Sequence, residues 1–309
     1  VAAVDANGRT LGRSMIYIDS RGIAEAEEIK AHLGDDQVLA ITGTTVQPMY
    51  SLCKIRWLKK NRPDVYARTW KFLHFSGFVL FRLGAAPATD YSLAARTLAF
   101  DIRKKAWSDV MLAAAEIDRE KFGEPVQAGT PVGTINPALA GELGLPPGVM
   151  LVAGGHDQSC AALGAGVIRP GLAVDGLGTT ECITPAFAEP ILSQAMADNF
   201  FACVPHVIPD LYVTYAFTFT SGSILKWYRD QFGAALCADA ERRGVNVYDL
   251  MINRARQEPS SVLVLPHFAG AATPYMDPAS TGAIVGLTID TRPDDIVKGL
   301  LEGITFEIM

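Results

Sequence analysis

The sequence lacks any Cys-x-x-Cys pair, any excess of basic charge and any long unbroken apolar run, and each absence closes off a class of function. Its five cysteines, Cys53, Cys160, Cys182, Cys203 and Cys237, are scattered through apolar segments. That pattern points to reduced thiols in the cytoplasm rather than to a disulfide frame or a metal cluster. With 27 Lys and Arg against 33 Asp and Glu the net charge is -6, the wrong sign for a broad nucleic-acid or anionic-membrane surface. The longest uncharged stretch, Pro259 to Met276, is interrupted by Pro266 and Pro274 and cannot form a membrane helix. None of His32, His74, His156, His206 and His267 has a partner one helical turn away, so no metal-binding face is built from them. The opening Val1-Ala2-Ala3-Val4-Asp5 carries neither the basic nor the long apolar region of a signal peptide and reads as a strand already inside a domain. The G-x-x-x-x-G-K-[ST], G-x-S-x-G and H-E-x-x-H motifs are missing too. At Gly164-Ala165-Gly166-Val167-Ile168-Arg169 an Arg stands where a dinucleotide fingerprint needs glycine.

What is present is an ordered α/β chain. Its 309 residues, 49% of them hydrophobic and 19% charged, suit two compact lobes better than one. The Asn7-Gly8 turn between Val1–Asp5 and Met15–Asp19 predicts a hairpin. Apolar periodicity predicts helices near Ala24–Leu33, Pro48–Lys60 and Val65–Leu83, the last broken once. Asn136-Pro137 reads as a cap followed by Pro in the first helical turn. Val149–Ala153 reads as a buried strand that runs through Gly154-Gly155 into a helix. Strands are expected at Leu172–Leu177, Glu181–Thr184, Phe200–Val204, Leu211–Phe217 and Val262–Leu265, and helices through Ile224–Phe232, Val247–Gln257 and Pro293–Met309.

Gly155-His156-Asp157-Gln158 admits two readings from its residues alone. Asp157 could cap the following helix by accepting orphan backbone N–H groups. Alternatively it is a carboxylate at the carboxyl end of a strand, the usual seat of chemistry in open α/β sheets, able to take a proton from a substrate hydroxyl.

Three separated segments then share one resemblance. Gly154 to Thr180, GGHDQSCAALGAGVIRPGLAVDGLGTT, closely resembles the interdomain segment of the FGGY family of carbohydrate kinases. Pro266 to Leu287, PHFAGAATPYMDPASTGAIVGL, resembles a second family signature, and Thr89 to Ile102, TDYSLAARTLAFDI, a third. Weaker likeness runs from Met15-Ile16-Tyr17-Ile18-Asp19-Ser20-Arg21 to the Leu-Leu-Glu-Gly stretch at Leu300–Gly303.

The resemblance implies an α/β fold of the two-lobed actin-like ATPase (ribonuclease H-like) type, incomplete in this chain. Residues 1–166 would form the sugar-binding lobe without its first strands, and 167–309 the start of the ATP-binding lobe. It implies ATP-dependent phosphorylation of a sugar or polyol hydroxyl, with a ketose such as a pentulose, or a polyol, as substrate. ATP and Mg2+ would be the cofactors. Asp157 would be the general base and would also approach the metal through a water. Gln158, Tyr91, Tyr17 and, by adjacency, His156 would face the substrate; Tyr17 stands where many members carry Trp. Gly178, Thr179 and Thr180 match the turn that faces the nucleotide phosphates, and Gly222 and Lys226 match positions lining the ATP site. The expected partners are the small sugar or polyol and ATP, with a homodimer as the candidate assembly. The family's first phosphate hairpin and its Gly-rich adenosine segment are not in the sequence. The chain by itself is therefore expected to be inactive, and a non-catalytic sugar-binding or assembly protein of the same fold is the alternative.

Overall fold

The computed structural model describes residues 1–16 and 19–309, and these divide into two compact units. The first holds Val1–Val174, Pro185–Ala197 and Ala202–Thr214; the second holds Asp175–Thr184, Asp198–Phe201 and Tyr215–Met309. The backbone therefore leaves and re-enters the first unit before settling in the second.

In the first unit the Asn7-Gly8 turn forms as expected. The Asp5 carboxylate accepts the N–H groups of Asn7 and Arg9, both at 2.9 Å, and Gly8 takes φ 75°. The returning strand expected at Met15–Asp19 falls partly on Tyr17 and Ile18, which lie outside the described residues. Strand Ala2–Val4 instead pairs antiparallel with Lys71–Leu73, Ala2 opposite Leu73. That pairing divides the predicted Val65–Leu83 helix into helix Pro63–Arg68, the strand, and helix Phe75–Leu83. The strand forms because Phe72 and Leu73 are both buried, and an extended backbone satisfies its polar groups against Ala2–Val4. Helices Ile23–Leu33 and Ser51–Asn61 stand close to their predicted places. Their Ile29, Leu52 and Ile55 are fully buried.

Strand Ala88–Asp90 pairs in parallel with Glu124–Val126. Around it runs an aromatic chain in which Tyr91 stacks on Phe100 at 5.5 Å, Phe100 meets Trp107 edge-on at 5.8 Å, and Trp107 meets Phe122 at 4.8 Å. Trp107 Nε1 donates to Gly123 O at 2.8 Å, which fixes the ring. Strand Met150–Val152 pairs antiparallel with Pro131–Thr134. Among the described residues it buries only Leu151, leaving Met150 60% and Val152 41% exposed. The uninterrupted apolar run that predicted a fully buried strand is thus a strand covered on one face.

In the second unit the front half of strand Glu181–Phe187 pairs antiparallel with Ala216–Thr218. Helices Gly222–Phe232, Ala234–Arg243, Val247–Arg254 and Pro293–Ile308 pack around strands Leu263–Leu265 and Ala283–Val285. The core is Ile224, Tyr228, Met251, Val262, Val264, Val297, Leu300 and Ile304. The last helix lies directly on the first of these strands. A Cβ at Gly299 would stand 2.7 Å from Val262 O, and one at Gly303 would stand 2.5 Å from Val264 O. Glycines one helical turn apart are what allow that approach.

Candidate active site

The turn before Asp157 is shaped by crowding at one glycine. A Cβ on Gly155 would come within 2.3 Å of Val207 Cγ1 and 3.0 Å of Cys160 Sγ, so no larger residue fits without moving its neighbours. Gly154 has open space around it. His156 is the cap residue of helix Asp157–Gly164, and its backbone N–H donates to Ser92 Oγ at 2.8 Å across 64 positions of sequence. The Ser92 hydroxyl in turn donates to the buried Asp90 carboxylate. Asp90 caps helix Tyr91–Ala95 by accepting the N–H groups of Ser92 at 3.0 Å and Leu93 at 3.2 Å. Burial pushes the Asp90 carboxyl up in pKa, and these three donors pull it back. The Asp90–Ser92–His156 relay thereby ties the Tyr91 segment to the Asp157 turn.

Asp157 is the first residue of its helix, with its side chain 84% exposed. Its Oδ1 accepts the adjacent Gln158 N–H at 2.8 Å and lies 3.4 Å from His156 Nε2. A capping side chain ordinarily reaches the second or third N–H beyond itself. His156 occupies the cap position here, and Asp157 reaches only one residue forward. The carboxylate is left facing outward at the positive end of a helix. Burial, reinforced by the nearby Arg96 charge, pushes His156 down to about 4 while Asp157 pulls the other way. The imidazole is therefore neutral at pH 7. Burial likewise pushes His74 down to about 3, with the Val1 amine, Arg96 and His156 adding to it. Tyr91 and Gln158 are half-buried. Asp157, His156, Gln158 and Tyr91 all belong to the first unit; Tyr17 lies outside the described residues.

In the second unit Gly178, Thr179 and Thr180 form the turn between strands Ala173–Leu177 and Glu181–Phe187, and all three are exposed. Ser221 and Ser223 donate their N–H groups to Thr179 O at 3.0 and 3.2 Å, and Gly222 donates to Gly178 O at 2.9 Å. A Cβ at Gly222 would lie 2.6 Å from Gly178 O, so glycine is needed for the turn to sit on the start of helix Gly222–Phe232. Those helix N–H groups are used in holding the turn. An anion would meet the exposed N–H and hydroxyl groups of Thr179 and Thr180 instead. Lys226, one turn along the helix, forms an exposed 2.8 Å pair with Asp230.

Three residues of these sites were not foreseen. Ser92 and Asp90 stand inside a segment whose Asp-x-Ser start is a local capping signal, but the reach to His156 leaves no local trace. Glu181 follows the Gly-Thr-Thr turn as a lone acid opening an apolar strand, and it is 1% exposed with neither carboxylate oxygen bonded among the described residues. Burial and the neighbouring Asp175 push it up to about 7, with Ser221 pulling it down. The exposed Thr179 and Thr180 groups fit the phosphates of ATP, and Glu181 fits Mg2+, which commonly takes one or two carboxylates and keeps its waters. No group of three or more His, Cys, Asp and Glu is positioned to hold a metal among the described residues, and no helix there is long and apolar enough to cross a membrane.

Comparison with known proteins agrees along the whole chain. Residues 1–164 match the N-terminal domain of the FGGY family of carbohydrate kinases, and residues 176–309 match its C-terminal domain. A gluconokinase of Bacillus licheniformis is 26% identical over 318 residues, covering 100% of this chain and 60% of that protein. Glycerol kinase 1 of Pseudomonas aeruginosa is 30% identical over 312 residues, covering 98% and 60%. The crystal structure of a ligand-bound xylulose kinase from Lactobacillus acidophilus superposes with a TM-score of 0.85 at 21% identity, covering 99% of this chain and 60% of that one. The α/β fold is of the actin-like type these kinases have. The chain spans about 60% of the length of the relatives it matches.

Proposed function

The chain belongs to the FGGY family of carbohydrate kinases, and we propose that it serves the ATP-dependent phosphorylation of a sugar or polyol hydroxyl, with Asp157 as general base. The observation that carries this reading is the Asp157 turn: a carboxylate that projects outward from a helix start, on a backbone held by Gly155 and by the Ser92 relay. Phosphoryl transfer asks little covalent chemistry of a protein and much alignment. Asp157 takes the proton of the attacking hydroxyl. Gln158, Tyr91, Tyr17 and the neutral His156 orient the hydroxyls of a pentulose or polyol. Residues 1–166 carry the sugar and 167–309 the nucleotide, with Gly178, Thr179, Thr180 and Gly222 at the phosphates and Lys226 at the rim. ATP would supply the phosphoryl group, and Mg2+ held with it would offset the charge on its oxygens.

Asp157→Asn in the complete enzyme separates the two readings of this residue, because Asn keeps the size and the capping ability of Asp but not its basicity. General-base catalysis contributes about 10²–10⁴-fold, so kcat should fall by that order while sugar Kd, measured by calorimetry, stays close to wild type. A variant with near wild-type kcat in a coupled ADP assay would return Asp157 to the role of helix cap.

A further inference from the structure

We infer that Asp175 and Glu181 hold a divalent cation of the Mg2+ class beside the Gly178–Thr180 turn. The inference rests on the nucleotide role proposed for that turn and adds to it the residues that receive the metal. Asp175 lies on the strand that enters the turn and Glu181 opens the strand that leaves it, so a carboxylate flanks the turn on each side. Both line one cavity of about 640 Å³ together with Gly178, Ser221 and Gly222. Asp175 is exposed at its mouth and Glu181 is buried at its wall.

A pair of acids is not by itself a site, and the second observation is the state of Glu181. Both of its oxygens are sealed from solvent and neither accepts a hydrogen bond among the described residues, although Ser221 and Asp175 approach it. Buried carboxylates are ordinarily paired or coordinate a metal. No Lys, Arg or His lines this cavity, nor the second one of about 510 Å³ that Glu181 also borders. No side-chain cation lining either cavity answers the charge, and a cation from solution can do so. Two carboxylates beside a phosphate turn suit a small hard ion that completes its shell with water and phosphate oxygens.

The test uses Mn2+ as a spin probe, read by electron paramagnetic resonance on the complete enzyme with Mn2+ alone and with Mn2+ plus ADP, alongside calorimetric ADP binding without metal. Wild type should show one Mn2+ site that tightens when ADP is added. Glu181→Gln and Asp175→Asn should each weaken it by at least about tenfold and should not weaken metal-free ADP binding, since each removes a negative charge beside the phosphates. Asp175 is exposed, so its variant remains informative if Glu181→Gln disturbs folding. Mn2+ affinities of folded variants within about twofold of wild type overturn the cation site and leave the nucleotide reading in place. Mn2+ binding that depends on both acids while no ADP binds at all has the opposite meaning: the cation site stands and the nucleotide reading falls.

Discussion

At the scale of single residues, Gly155 decides how the candidate base is presented. Gly155→Ala would drive a methyl group into Val207 Cγ1 at 2.3 Å, and overpacking of this kind costs about 1–3 kcal/mol. Urea unfolding should show that loss, and Val207→Ala in the same chain should recover most of it by clearing the space. If Gly155→Ala alone is as stable as wild type, the crowding described here is not rigid. The helix start at Asp157 and the turn at Gly178 were legible in the sequence, because apolar runs that end in glycines report their own local backbone, whereas the roles proposed for Asp157, Gln158, Gly178 and Gly222 come from the family resemblance. The N–H···Oγ contact from His156 to Ser92 was not legible, since it joins positions 64 apart and neither residue is unusual where it stands. Glu181 was passed over for a related reason. Only the folded chain shows that its oxygens are buried without a donor.

At the scale of elements, ends were easier to read than partners. The Asn136 cap is realised as written, its Oδ1 accepting the N–H groups of Ala138 at 3.0 Å and Leu139 at 3.4 Å, with Pro137 in the first turn of helix Pro137–Glu142. Asn136→Ala should cost about 1 kcal/mol in chemical denaturation, and Asn136→Asp should restore it. Equal stability of the Ala variant would mean that tertiary packing alone holds this helix. The Val65–Leu83 stretch is helical and broken once, as expected, but the break is a strand, because apolar periodicity cannot register that Lys71–Leu73 has a pairing partner some seventy positions earlier, at Ala2–Val4. The contact of helix Pro293–Ile308 with strand Leu263–Leu265 is of the same sort. Gly299 and Gly303 look like poor helix formers until the carbonyls of Val262 and Val264 are seen beneath them.

At the scale of the whole molecule, the two units should respond to pH in opposite senses. His74 and His156, held near 3 and 4 against an ordinary 6.5, lie in the first unit. The stability they contribute is present above pH 6.5 and is lost as pH falls through their folded values, because the unfolded chain then binds more protons. Glu181, raised to about 7 from 4.5, lies in the second unit. Its contribution is present below pH 4.5 and is lost as pH rises through 7. At about 1.4 kcal/mol per pKa unit, shifts of this size correspond to roughly 3–5 kcal/mol each. The tryptophans divide conveniently, with Trp57, Trp70 and Trp107 in the first unit and Trp227 in the second. Urea unfolding of wild type and of Trp227→Phe, at pH 5 and pH 7.5, should show the first unit gaining stability with pH and the second losing it; parallel changes in both would contradict these assignments. The interleaved path of the chain bears on how such a protein can change over generations. The backbone crosses between units at 174/175, 184/185, 197/198, 201/202 and 214/215. Val207, which presses on Gly155, and Val207 O, which accepts Gln127 Nε2 at 2.7 Å, arrive only after the second of two excursions. A single recombination breakpoint after residue 174 would hand a descendant the Asp157 turn without the segment that closes over it. The halves of this gene are not interchangeable modules, and the turn that carries Asp157 is inherited only together with sequence from beyond the first crossing.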